Sequence, residues 1–330
     1  MESILFGTTW ADNLNNFIQK NVASHLFLVC NYNPNLFCVI GEDAKFLQGI
    51  TNLYKFAIDA SLINKLQSIN RRIGSGARND NKDFSDLKHY LHIISFLRTY
   101  VCHNNDRNEI IDETKRWITE VIHKTNFETI DDYRHGVEEL EKIGNKTCDV
   151  VEKILISMIK SHTKDRLREE IQAQIVLFYK KNINLVKNEL RNAYQSYKNG
   201  YTVLDNNKSI ALWCKDILVG NKEKMINRLQ DVSKQCDSYT KIKLKEEIRK
   251  IQSEIEHIKK NIKKQVMDNK SQKNEERDLN SYDYLDFYCK NIVDKIITFL
   301  PEIQSKKMTM LPEDIIQYII EKDFKNDTYP

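Results

Sequence analysis

The segment SDLKHYLHIISFLRTYVCHN, residues 85–104, decides how the chain is read. Set each residue about 100° further round a helix and Leu87, Leu91, Ile94, Leu97 and Val101 fall on one apolar face, with Tyr90 at its edge. Arg98 falls on the same face. A charge turned toward a core is costly unless it is partnered. Arg98 is therefore a structural ion pair, a snorkelling edge residue, or a working residue. A second stripe, His89, His92, Phe96, Thr99 and His103, follows the same helical spacing. His and Phe make a poor solvent face, so this stripe suits a partner surface, either a dimer interface or a second domain.

The whole chain agrees with this helical reading. It has 330 residues, with 9 Gly and 4 Pro, no proline between positions 35 and 300, and no glycine after Gly220. Turn-rich β folds need those residues as punctuation, and no glycine-rich strand-to-helix turn supports a doubly wound fold. The fold class expected is all-α. Hydrophobic residues make up 41% and charged residues 30%, enough for a core beneath broad solvated faces. The net charge of +4 permits a nucleic-acid partner without demanding one. No window matches a membrane span, and the opening MESILFGTTWADN does not match a secretory signal. The seven cysteines (30, 38, 102, 148, 214, 236 and 289) form no CxxC pair. These features set the expectation of a reduced, cytoplasmic protein with no membrane association, metal or cofactor.

Helices are expected within 9–31 and at 43–68, 85–104, 106–124, 129–142, 146–161, 164–198, 208–218, 221–236, 238–268, 281–300 and 312–323. Within 238–268, Leu244, Ile248, Ile251, Ile255, Ile258, Ile262 and Val266 form a heptad-like seam. Helix 164–198 offers this seam an antiparallel match. The domains expected are a helical bundle over 1–135 and an elongated helical domain over 136–330 with an antiparallel coiled-coil hairpin.

At the end of the opening segment stands Arg98-Thr-Tyr-Val-Cys-His103, followed by Asn104 and Asn105. Here the chain resembles the HEPN superfamily, whose four-helix bundles carry R-x(4–6)-H; the likeness covers roughly the first 125 residues. The resemblance implies a metal-independent RNA endonuclease effector of the phage-defence or toxin type, cleaving by 2′-hydroxyl attack at a composite site in a homodimer. It also implies RNA as substrate, and an antitoxin or regulatory protein as a further partner. Arg98 would stabilise charge on the phosphorane. His103 would act as acid or base, leaving a 2′,3′-cyclic phosphate and a 5′-hydroxyl. Two positions depart from the family pattern. Thr99 follows the Arg where many members have a polar Asn, Asp or His, and Asn105 stands where one toxin subgroup has a modifiable Tyr. A second pair, Arg116 and His123, is set aside because it reads as mid-helix. The alternative is a non-enzymatic helical interaction or RNA-binding module.

Other segments bear on RNA. RRIGSGAR (71–78) puts Arg71, Arg72 and Arg78 around two glycines and reads either as a phosphate cradle or as a solvated loop. Segment 241–266 is rich in Lys and Arg; Lys259, Lys260, Lys263 and Lys264 would track a backbone, or else flank a coiled coil. Asn104 beside the motif would be a further RNA contact. Glu120/His123 and Glu254/His257 have Glu-x-x-His spacing, which is set aside as a metal signal. SYDYLDFYCKNIVDKIITFL (281–300) reads as a stacking surface or as core.

Overall fold

The computed structural model describes residues 9–29, 41–73, 82–102, 108–160, 164–197, 207–268, 279–306 and 311–327. All regular structure among them is helical, as expected. The chain divides into two compact units, Met1–Ile175 and Val176–Pro330, and the division falls within a helix.

The first unit holds α1 (Thr9–Asn21), α2 (Glu42–Tyr54), α3 (Leu62–Ile73), α4 (Lys82–Cys102), α5 (Asn108–Ile122), α6 (Ile130–Lys160) and the start of α7 (Lys164–Lys181). Helix α6 is its mast, packing on α1, α2, α4 and α5. The sequence suggested two helices here and a domain division at 135/136, but α6 runs unbroken through both positions. Its start is fixed by reciprocal capping: Asp132 accepts from the backbone N–H groups of Glu128 and Thr129 (3.0 and 2.9 Å), and the Thr129 hydroxyl accepts from the Asp132 N–H (3.2 Å). Lys124 donates to the same carboxylate at 2.9 Å. Led by that contact, these donors hold the Asp132 carboxyl well below the usual range.

Two glycines within α6 are kept bare by aromatic rings. A Cβ on Gly136 would lie 2.9 Å from both Phe46 and Phe127. Those two rings pack 4.8 Å apart, and Phe127 stacks on Tyr133 at 5.0 Å. A Cβ on Gly144 would fall inside the indole of Trp10. Trp10 is fully buried, donates Nε1–H to Asn145 Oδ1 at 3.2 Å, and packs on Phe56 at 5.8 Å.

The expected helix 43–68 is broken. Helix α2 passes into a π-helical turn, Lys55–Asp59, and the chain turns at Ser61, whose φ is +54°. No Gly or Pro marks this break, so composition could not reveal it.

The second unit holds the end of α7, α8 (Ile183–Tyr197), α9 (Asn207–Lys215), α10 (Asn221–Lys234), α11 (Ser238–Asp268), α12 (Ser281–Ser305) and α13 (Pro312–Asp327). Its centre is α12, which packs on α8, α9, α11 and α13. Expected helix 164–198 is interrupted at Asn182, whose side-chain amide takes the Phe178 carbonyl at 2.8 Å. Expected helices 208–218 and 221–236 are one continuous helix, with α9 joined to α10 by a π-helical turn at Asp216–Gly220. The aromatic run 281–300 is core: Tyr284, Leu285, Tyr288, Cys289, Ile292, Val293 and Ile296 are buried on α12. That helix carries Pro301 inside it, about one turn before its end, and so outruns its expected end at the cost of the hydrogen bond a residue 301 N–H would make.

Helix α11 has the bounds predicted, and Ile248, Ile251, Ile255 and Ile262 of its seam are buried. Its partner differs from the one expected. It packs on α10, with ion pairs Lys222–Glu254 (2.9 Å) and Lys259–Glu223 (3.2 Å) joining the two helices. Short connections make sequence neighbours pack, which favours α10 over the more distant 164–198 segment.

At the α12–α13 junction, Glu302 meets Lys322 at 2.8 Å and Lys306 at 3.3 Å, while Lys306 donates to the Tyr318 hydroxyl at 2.8 Å. The hydrogen bond from Lys322, then that involving Tyr318, pulls the Glu302 carboxyl down to about 2, from an ordinary 4.5.

Two outcomes follow from this packing. Gly144→Ala gains about 1 kcal/mol of helix propensity. Overpacking a fully buried ring costs about 1–3 kcal/mol, so urea denaturation should show net destabilisation. Glu302 titrates below its unfolded value, so its stabilisation is complete above about pH 4.5 and lost as pH falls toward 2. Melting curves of Glu302→Gln should therefore lie below wild type at pH 7, by less at about pH 3, and converge with it only as pH falls to about 2 and below.

Candidate functional site

Helix α4 carries the segment that opened the reading. It packs on α2, α3, α5 and α6, and Leu87, Leu91, Ile94 and Leu97 are buried as their spacing predicts. Arg98 is half-buried, and its guanidinium carbon sits 4.7 Å from the centre of the Tyr54 ring, at the end of α2. An arginine over an aromatic face keeps its charge while its plane is covered. This arrangement accounts for a charge on an apolar stripe and fixes the direction of the side chain.

The second stripe of α4 is divided. Phe96 is buried, while His89 and His92 are exposed. His92 Nε2 meets Glu113 Oε1 of α5 at 3.1 Å and packs edge-on against Phe96 at 5.5 Å. Thr99 closes its hydroxyl onto the Ser95 carbonyl at 2.8 Å. Part of the face expected to meet a partner therefore already serves α5. Helix α4 ends at Cys102; His103 and Asn104 lie outside the described residues.

Arg71 and Arg72 are exposed at the end of α3, which packs on α4. Arg72 reaches Glu170 at 3.2 Å, and Arg71 Nε donates to the Gln67 carbonyl at 3.4 Å. Arg78 lies outside the described residues. In the second unit, Lys260, Lys263 and Lys264 are exposed on α11, and Lys259 is engaged with Glu223. Among the described residues, then, Arg98 stands over Tyr54, Arg71 and Arg72 lie at the end of α3, and the candidate lysines belong to the second unit.

One pair set aside on sequence gains ground. Helix α5 ends at Ile122, so His123 is a helix-terminal residue and not a mid-helix one. It adopts φ +56° and its N–H caps the Thr119 carbonyl at 2.9 Å, as the first residue past a helix does. Arg116 and His123 are both exposed. The signal that would have found this is the polar run KTNFET directly after His123. No group of three or more His, Cys, Asp or Glu side chains gathers into a metal-binding arrangement among the described residues.

The first unit also has an open groove of about 470 Å³ between α1 and α6, lined by Asn13, Asn16, Lys20, Asn145, Asp149 and Glu152 among others. Partial burial, then the neighbouring Asp149, raises the Glu152 carboxyl. Burial, then Glu152 and Asp149, pushes the Cys148 thiol up, which makes it a poor nucleophile. No helix among the described residues is long and apolar enough to cross a membrane.

Replacing Tyr54 by Leu removes the ring face under Arg98 while keeping bulk. Urea denaturation should show a loss of about 0.5–1 kcal/mol, the usual range for an exposed to half-buried cation–π pair. Against protein-family models, curated proteins and solved structures, the chain finds no match.

Proposed function

We propose that the chain is a metal-independent RNA endonuclease, an effector of the phage-defence or toxin type built on a HEPN-like bundle, with Arg98 and His103 as its working pair. The observation that carries this reading is Arg98 itself, held over Tyr54 in the last turns of α4, five positions before His103. A guanidinium already fixed in place loses little further entropy when it meets a phosphorane, which is where preorganised charge is most effective. His103 would take the 2′-hydroxyl proton or supply one to the departing 5′-oxygen. One such motif per copy calls for a second copy, so that the composite site forms in a homodimer, under control of an antitoxin or regulatory protein. In this reading the α10–α11 pair is a coiled-coil hairpin that regulates or docks.

A second reading has its own observation. Stacking on Tyr54 accounts for the position of Arg98 without any substrate. That favours a non-enzymatic helical module that binds RNA or a partner protein.

The deciding experiment measures cleavage of structured RNAs in EDTA by wild type, Arg98→Ala, His103→Ala and His123→Ala, with the product ends identified. Wild type should leave 2′,3′-cyclic phosphate ends. Arg98→Ala and His103→Ala should each lose about 100-fold or more, and His123→Ala should retain activity. Silence from all four selects the interaction module.

A further inference from the structure

We propose that the outward face of α11 is a binding rail for the phosphate backbone of RNA, and that Lys259 is excluded from it. This deepens the ribonuclease reading and rests on it only for the choice of RNA as the polymer. The seam of α11 is turned inward, with Ile248, Ile251, Ile255 and Ile262 buried. Between residues 243 and 264, Lys243, Lys245, Arg249, Lys250, Lys260, Lys263 and Lys264 are exposed. The acidic residues of the same stretch are Glu246, Glu247, Glu254 and Glu256. Glu254 is neutralised by Lys222 of α10. Lys259 in turn is spent on Glu223. The two cross-helix ion pairs thus sort the charge. They hold one acid and one base against α10 and leave a cationic surplus facing outward.

Lys245 to Lys264 spans roughly 29 Å at a helical rise of about 1.5 Å per residue. A linear array of exposed, mobile cations suits a linear polyanion, gaining affinity by counterion release without base readout. A membrane surface is the weaker fit. A helix lying in lipid needs its apolar face free, and that face of α11 is buried within the protein. An acidic protein partner is also a weaker fit, because protein interfaces centre on a desolvated apolar anchor. The middle of this face, Arg249, Ser253 and Lys260, offers none.

The test is fluorescence anisotropy of the full chain with a 2′-O-methylated oligouridylate, across a salt series. The methyl groups block 2′-hydroxyl attack, so binding is read apart from cleavage. Each phosphate contact on a single strand contributes about 0.7 to the slope of log K against log salt. The Lys260→Gln/Lys263→Gln/Lys264→Gln variant should flatten that slope by about 2, and Arg249→Gln/Lys250→Gln by about 1.4. Lys259→Gln should leave it unchanged. Circular dichroism monitors folding, and the two multiple variants sit far enough apart on α11 for either to carry the test. An unchanged slope in both overturns the proposal. So does a wild type that ignores the RNA, or one whose lysines serve only for phosphatidylserine vesicles. RNA binding with the expected slopes but no cleavage of unmodified RNA would leave the rail standing and remove the nuclease. Cleavage with unaltered slopes would do the reverse.

Discussion

The first unit depends on aromatic rings pressed against bare backbone on α6. Gly136 and Gly144 lie on one helix, eight residues apart, and each accepts a side chain from another element: Phe46 of α2 at one, Trp10 of α1 at the other. Each glycine costs about 1 kcal/mol of helix propensity relative to alanine. The close approach it permits brings in large buried ring area, and aromatic pairs contribute about 0.5–1.5 kcal/mol each beyond that area. The trade favours glycine. It also fixes where α1 and α2 dock, and through α2 it fixes Tyr54. The Arg98 side chain is thus held in place by contacts that begin two helices away.

Much of this architecture is legible in the sequence where spacing alone decides. The bounds of α11 follow from its apolar seam, and the buried face of α4 from a simple wheel. Three features escape such reading. The breaks at Ser61 and Asn182 depend on one residue's backbone or side chain capping a nearby carbonyl, with no Gly or Pro to announce them. Helix α12 runs past Pro301, which sequence reading takes as a stop; its buried face continues to Leu300 and Ile303 on either side of the proline. The unbroken α6 is hidden at Gly144, which falls in the gap between expected helices 129–142 and 146–161 and is a contact point for Trp10 in three dimensions.

The candidate site divides in the same way. That Arg98 needs a special explanation is plain from its place on an apolar stripe. That the explanation is Tyr54, 44 positions earlier, is a tertiary fact no local pattern encodes. The lysines of α11 look equivalent on paper. Only the pairing of α10 with α11 separates Lys259, held by Glu223, from its exposed neighbours. The case of His123 runs the other way: a helix end two residues earlier than expected turns an interior residue into a cap.

The π-helical turn between α9 and α10 has a consequence for how this chain can change. One continuous helix serves two partners there: α9 lies on α12 and α10 on α11. A π turn inserts about one residue into the α-helical count, a rotational offset of about 100°. It acts as a phase shifter between the buried Ile210 and Cys214 of α9 and the buried Ile226 of α10. Loss of a single codon between Asp216 and Gly220 would leave a more regular helix and a worse protein. Either α9 or α10 would then present the wrong side to its partner. Length at this point is under tighter constraint than residue identity, the opposite of what holds along a solvent-facing helix.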